Sequence, residues 1–244
     1  MLENTTRLDN YLVQNTMAQS RTKAQTMIKD GLVLINDQVV KKSSYRVEKD
    51  DVVSVVEHKS YVSRAAFKLV EFLDEIDLDV SHRVALDIGS STGGFTQVLL
   101  EKGVTEVSCV DVGSHQLHPS LRNDPRVQVF ESCDIRKFYP KQSYDLVVSD
   151  VAFISLLHIL DNVERLASRD IILLFKPQFE VGRYVKRDKN GVVKDQKAIT
   201  KAMENFEAEC KLLGWKLQHK AASKLTGKEG NLEYCYHFTK ENLV

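Results

Sequence analysis

Three stretches of the chain carry side chains whose type and spacing could do chemistry. In the first, Val84-Ala85-Leu86-Asp87-Ile88 reads as a buried strand and runs into Gly89-Ser90-Ser91-Thr92-Gly93-Gly94-Phe95, where a helix begins. Glycines after such a strand let a ligand approach the backbone closely. Asp87 precedes the first glycine, so an acid stands at the ligand's door. Charge makes that a poor place for an anionic pyrophosphate and a tolerable one for a sulfonium that also carries an ammonium group. The spacing D-I-G-x-x-x-G-G-F also departs from the G-x-G-x-x-G of dinucleotide folds. S-Adenosylmethionine is therefore favoured over NAD, with Asp87, Gly89, Ser90, Ser91, Thr92, Gly93, Gly94 and Phe95 as contacts. Asp111, at the end of the next strand, stands where an acid binds ribose hydroxyls in related folds. Asp134, after a third strand, offers an adenine contact, with a helix cap as the equal alternative. In the second stretch, Asp150 and Lys176 each follow an apolar strand, at the strand ends where open α/β sheets bind ligands. The third is a basic run between Gly182 and Asp195, containing Arg183, Lys186, Arg187, Lys189 and Lys194.

Those residues need a scaffold, and the hydrophobic pattern supplies one. Strands are expected at Val84–Ile88, Val107–Val112, Val127–Phe130, Leu146–Ser149 and Ile171–Phe175. Helices fit the stripe from Val62 to Leu73, then Phe95–Lys102, Leu156–Ala167 and Lys197–Leu213. This alternation implies a parallel sheet with crossover helices. Trp215–Ala221 and Leu232–Thr239 have no helix between them and read as an antiparallel finish. Before Tyr61 the pattern differs. Two short helices are expected over Arg7–Gln14 and Arg21–Asp30, the second capped by Ser20 and ended by Gly31. A hairpin over Leu32–Ile35 and Val39-Val40 turns at Asn36-Asp37, and a strand over Val52–Val56 follows. The organisation is thus a small α+β unit over residues 6–57, a polar link at 58–60, and an α/β domain over 61–244.

Composition narrows the class without choosing the function. Apolar residues make up 43% of the 244, enough for an ordinary globular core without disulfides or metal. The longest apolar run, Ile171–Phe175, is far short of the roughly 20 residues of a membrane span. The N-terminus lacks the apolar segment of a signal peptide, and the four cysteines form neither C-x-x-C pairs nor zinc spacings. A cytoplasmic protein with reduced thiols and no metal is expected. Net charge is zero, so any nucleic-acid footprint must come from local arrangement.

Several runs also resemble known families. Val62-Ser63-Arg64-Ala65-Ala66-Phe67-Lys68-Leu69, the Asp87–Phe95 loop, Ser149-Asp150-Val151-Ala152-Phe153-Ile154-Ser155-Leu156 and Gly230-Asn231-Leu232-Glu233-Tyr234 resemble the FtsJ-type ribose methyltransferases. With Phe175-Lys176-Pro177-Gln178-Phe179-Glu180-Val181-Gly182-Arg183, the whole chain is similar to the TlyA (haemolysin-A-like) ribosomal RNA methyltransferases. Ser20-Arg21-Thr22-Lys23-Ala24 and Gly31-Leu32-Val33-Leu34-Ile35-Asn36 resemble the alpha-L RNA-binding fold of ribosomal protein S-four. The resemblance implies a Rossmann-like methyltransferase sheet behind a small RNA-binding domain. It also implies a Lys68, Asp150, Lys176, Glu233 set acting on a ribose 2′-hydroxyl of ribosomal RNA, with a cytidine as the expected nucleotide.

A ribose hydroxyl must lose its proton as it is methylated, and a lysine accepts that proton only when neutral. Lys176 is the expected base, with Lys68 beside it as a second cation and Asp150 and Glu233 orienting both. Read without the resemblance, Lys68 with Glu71 would be a plain surface pair. Phosphate contacts are expected from Arg7, Arg21, Lys23, Lys41 and Lys42 in the small unit, and from Arg183, Lys186, Arg187 and Lys189 in the basic run. Asp9, Asp30 and Asp37 keep the small unit nearly neutral, so it should bind RNA modestly by itself. Competing classes are a non-catalytic RNA-binding assembly factor, a haemolysin and an NAD-dependent oxidoreductase. The complete set opposes the first, the absence of an apolar span the second, and the Asp87 loop the third.

Overall fold

The computed structural model describes residues 5–29, 31–55 and 61–240. The chain divides into two compact units, Met1–Ser60 and Tyr61–Val244. Asp30, Val56 and the expected link at 58–60 lie outside the described residues.

In the first unit, β1 (Thr6–Arg7) leads into α1 (Leu8–Gln14) and α2 (Arg21–Lys29). Then come β2 (Val33–Ile35), β3 (Gln38–Val39), β4 (Arg46–Val47) and β5 (Val53–Val55). Strands β3, β2 and β5 form one antiparallel sheet, and β1 pairs with β4. The β1–β4 pair was not legible, because two-residue strands carry no period. Ser20 Oγ accepts from Lys23 N at 3.2 Å, and Gly31 stands at φ +77° past the end of α2, so both expected boundaries hold. Leu8, Leu12, Ala24, Ile28, Val33 and Val53 close the core.

The second unit runs α3 (Ala65–Ile76), β6 (Val84–Ile88), α4 (Gly94–Glu101), β7 (Glu106–Val110), α5 (Pro119–Arg122), β8 (Val127–Phe130), β9 (Tyr144–Ser149) and α6 (Leu160–Leu166). It continues with β10 (Ala167–Phe175), α7 (Pro177–Glu180), α8 (Gln196–Leu212), β11 (Trp215–Ala222) and β12 (Tyr234–Lys240). The seven-stranded sheet has the order β11-β12-β10-β9-β6-β7-β8. Strands β6 to β10 are parallel, while β12 is antiparallel to both β10 and β11. Apolar clusters cover both faces of the sheet, which is why its central strands read as continuous apolar runs. The helix expected over Leu156–Ala167 is instead a 3₁₀ turn at Leu156–His158 followed by α6, and Ala167 already opens β10. Glu233 stands one residue before β12 rather than inside it.

Candidate active site

Because β12 runs against β10, its first residues lie beside the last residues of β10, with Phe175 opposite Tyr234. Glu233 and Lys176 therefore meet on one rim. The register of β10 with β9 and of β9 with β6 puts Asp150 and the glycine loop on the same rim. Lys68 faces it from α3, on the side that buries Ala66, Leu69 and Phe72. All four residues of the implied set converge. Lys176 Nζ lies 2.5 Å from Asp150 Oδ1, close but poorly aligned for a hydrogen bond, and donates to the Asp150 carbonyl at 3.4 Å. Lys68 Nζ donates to Glu233 Oε2 at 2.5 Å, with both side chains buried. Lys68 is thus a buried ion-pair partner of Glu233 rather than a surface partner of Glu71. Gln178 Nε2 donates to the other oxygen, Glu233 Oε1, at 3.1 Å. Burial raises the Asp150 carboxyl above its ordinary range, while Lys176 and Lys68 pull the other way.

Two adjoining cavities open on this rim. One, of about 240 Å³, is lined by Ser63, Asp87, Ser90, Thr92, Gly94, Asp150 and Lys176. The other, of about 530 Å³, is lined by Asp111, Val112, Gly113, Cys133, Asp134 and Phe153, and shares Gly89, Ser91, Asp150 and Ala152 with the first. The glycine loop has the close approach its sequence implied. Gly89 is at φ +78°, and a Cβ there would sit 3.1 Å from the Val151 backbone. A Cβ on Gly94 would meet Ser63 Oγ at 2.0 Å.

Asp87 is wholly buried. Its Oδ2 accepts from Thr96 N at 3.0 Å and Thr96 Oγ1 at 2.7 Å, while Oδ1 has no partner among the described residues. Burial pushes its carboxyl up to about 7 against the Thr96 bonds. An orphaned buried acceptor on a cavity wall suits a cationic group. Asp111 accepts from Ser91 N at 2.8 Å and Gly113 N at 2.7 Å, which leaves lone pairs for hydroxyls in the larger cavity. Asp134 caps the 3₁₀ turn Ile135–Lys137, the cap alternative, and also lines that cavity. Phe95 is buried in the core beneath the loop and lines the smaller cavity. Donor and acceptor placement thus fits S-adenosylmethionine, with an acid for its ammonium group and another for its ribose.

The basic candidates separate. Lys23, Lys41, Lys42, Arg183, Lys186 and Lys189 are exposed. Arg187 is committed to structure: its guanidinium donates to the carbonyls of Val185 and Gln178 at 2.8 Å each and of Gly182 at 3.2 Å. Its Nε and one Nη1 hydrogen are left for an RNA contact. Arg7 and Arg21 are tied to Asp9. Residues missed from the sequence are Ser63, Gln178 and Phe153. Phe153 is 92% exposed at φ +65° on the cavity rim, with Phe179 at 5.4 Å between ring centroids. Only the aromatic three residues beyond a strand-end acid could have signalled it.

A Rossmann-like sheet with a reversed last strand and a ligand cavity over its glycine loop defines a methyltransferase-type α/β domain, here carried behind a small α+β unit. Residues 61–240 match the FtsJ-like methyltransferase model and residues 6–53 the S4 domain model. The chain belongs to the FtsJ-like methyltransferase family. It is 42% identical over 94% of its length, and 98% of the relative's, to the 23S rRNA (cytidine-2′-O)-methyltransferase TlyA of Campylobacter jejuni. It is 40% identical over 93%, and 87% of the relative's, to the 16S/23S rRNA (cytidine-2′-O)-methyltransferase TlyA of Mycobacterium tuberculosis. A Streptococcus thermophilus protein whose solved structure carries the name hemolysin matches with a TM-score of 0.71 at 31% identity, covering 98% of this chain and 89% of that one.

Proposed function

We propose that the protein uses S-adenosylmethionine to methylate a ribose 2′-hydroxyl of ribosomal RNA in the cytoplasm, with a cytidine as the target nucleotide. The observation that carries this is the pairing of Lys176 with Asp150 and of Lys68 with Glu233 on the rim of a cavity whose wall holds the orphaned Asp87 oxygen. The cofactor would supply an electrophilic methyl group. Asp87 would hold its ammonium group, and Asp111 its ribose hydroxyls. Lys176 takes the hydroxyl proton. In its neutral form it is held at the rim by Asp150, 2.5 Å away. Glu233 keeps Lys68 in place and is itself fixed by Gln178. The exposed Phe153 ring offers a stacking face for an unpaired base next to Asp150. Its similarity to two rRNA (cytidine-2′-O)-methyltransferases supports both the reaction and its substrate. Among the described residues no helix is long and apolar enough to cross a membrane.

The test is transfer of labelled methyl from S-adenosylmethionine into ribosomal RNA from a strain lacking this gene, followed by digestion to nucleosides. Label is expected on a 2′-O-methylated nucleoside. Lys176→Ala is expected to abolish it while cofactor binding stays intact. Label on a base, or near-normal transfer by Lys176→Ala, would refute the reading.

A further inference from the structure

Asp9 lies in the first turn of α1 and has no exposed surface. A buried carboxylate must be compensated, and this one is surrounded by donors. Its Oδ1 accepts from Arg7 Nε at 3.0 Å and Asn10 N at 3.1 Å. Its Oδ2 accepts from Arg7 Nη2 at 3.0 Å, Arg21 Nε at 3.0 Å and Gln25 Nε2 at 2.9 Å. These bonds, Arg7 foremost, hold the carboxyl well below the usual range, so it stays charged at any working pH.

The arginines bind Asp9 by their inner edges. Arg7 uses Nε and Nη2, whereas Arg21 uses Nε alone. Arg7 Nη1 and both terminal nitrogens of Arg21 have no partner among the described residues. The Arg21 side chain is 57% exposed. Because one nitrogen of each sits 3.0 Å from the same oxygen, the two guanidinium groups are held within about 6 Å of each other. Two free arginines would not rest so close, since like charges repel and each side chain has many rotamers. The buried anion offsets the repulsion and removes the rotamer freedom in advance. What remains outward is a pair of planar forks, the geometry that phosphate oxygens accept.

We propose that Asp9 is a positioning residue for RNA binding, holding Arg7 and Arg21 as one preformed phosphate clamp. This rests on the reading of the protein as acting on ribosomal RNA. Charge counting gives the opposite expectation, which makes the proposal sharp. Asp9→Asn adds a net positive charge beside two arginines, so attraction alone would tighten RNA binding. A lost clamp weakens it.

The experiment measures binding of the full-length chain to in vitro-transcribed 23S ribosomal RNA across a salt series. Asp9→Asn is expected to bind more weakly and to lower the salt slope by about 1 to 2. Arg21→Lys keeps the charge, removes the fork and leaves Asp9 bound to Arg7 and Gln25. It is expected to weaken binding even if Asp9→Asn unfolds the unit. Arg7→Ala/Arg21→Ala sets the floor. Unchanged or tighter binding by Asp9→Asn, or parental binding by Arg21→Lys, would overturn the proposal. Parental binding by the double variant would remove the clamp altogether. A parent that binds as expected yet transfers no methyl would sink the proposed reaction and leave the clamp standing.

Discussion

Replacing Asp87 with Asn should make the free protein more stable at neutral pH while weakening its grip on the cofactor. The carboxyl is wholly buried, one oxygen is unpartnered, and burial raises it to about 7. The folded state therefore binds this proton more tightly than the unfolded chain does. Stability contributed by the neutral acid is fully present below about pH 4 and is lost as pH rises toward 7. A rise from the ordinary value of 3.8 to about 7 corresponds to about 4 kcal/mol lost by neutral pH, at about 1.4 kcal/mol for each tenfold step. Asn keeps an acceptor for Thr96 and carries no charge, so the stability gap between variant and parent should widen in the variant's favour from pH 4 to 7. Cofactor binding has the opposite sign. An ammonium group binds the ionised acid, whose fraction rises roughly tenfold or more between pH 5.5 and 7, and affinity should rise with it. At pH 6 each S-adenosylmethionine bound should release nearly one proton, and the release should fall as pH rises toward 7. Calorimetry in two buffers of different ionisation enthalpy reads both quantities, and urea unfolding reads the stability. A flat affinity with no buffer dependence, or parental affinity in Asp87→Asn, would refute the assignment of Asp87 to the ammonium group.

Three further outcomes are expected. Lys68→Ala strands the Glu233 carboxylate in the interior and should cost about 3–5 kcal/mol in urea unfolding, whereas Lys68→Met/Glu233→Leu should recover most of that stability without recovering methyl transfer. Parental stability in Lys68→Ala would mean that the pair is not buried in solution. Gly94→Ala forces Ser63 out of the smaller cavity and should weaken cofactor binding about tenfold, a cost of about 1.4 kcal/mol, with the fold retained; unchanged affinity would remove Ser63 from the binding surface. Of the four cysteines only Cys133 is not buried, and it lines the larger cavity. Burial also raises its thiol, so iodoacetamide should label it slowly, faster as pH rises, and more slowly still with cofactor bound; equal rates with and without cofactor would place the adenosine elsewhere.

What the sequence made legible divides along a physical line. Parallel strands buried on both faces are read as apolar runs without any tertiary knowledge, and residues just past their ends must share one rim, so Asp150, Lys176 and the glycine loop could be placed together. A side chain's partner is different, because it depends on contacts that no local period encodes. Lys68 and Glu233 are 165 residues apart, and only the reversal of β12 brings them together. Ser63 reaches the cavity because Gly94 leaves it room, a fact about packing between α3 and α4. Charges suffer most from this limit. Arg187 counts as +1 in any tally, yet both of its terminal nitrogens donate to backbone carbonyls. Asp9 counts as −1 and, in that tally, weakens a basic surface. In the fold it sits at zero exposure between Arg7 and Arg21 and sets where their charge points. A zero net charge therefore says little about RNA affinity in this chain, since phosphate responds to the local geometry of cations, and here an anion helps to create that geometry.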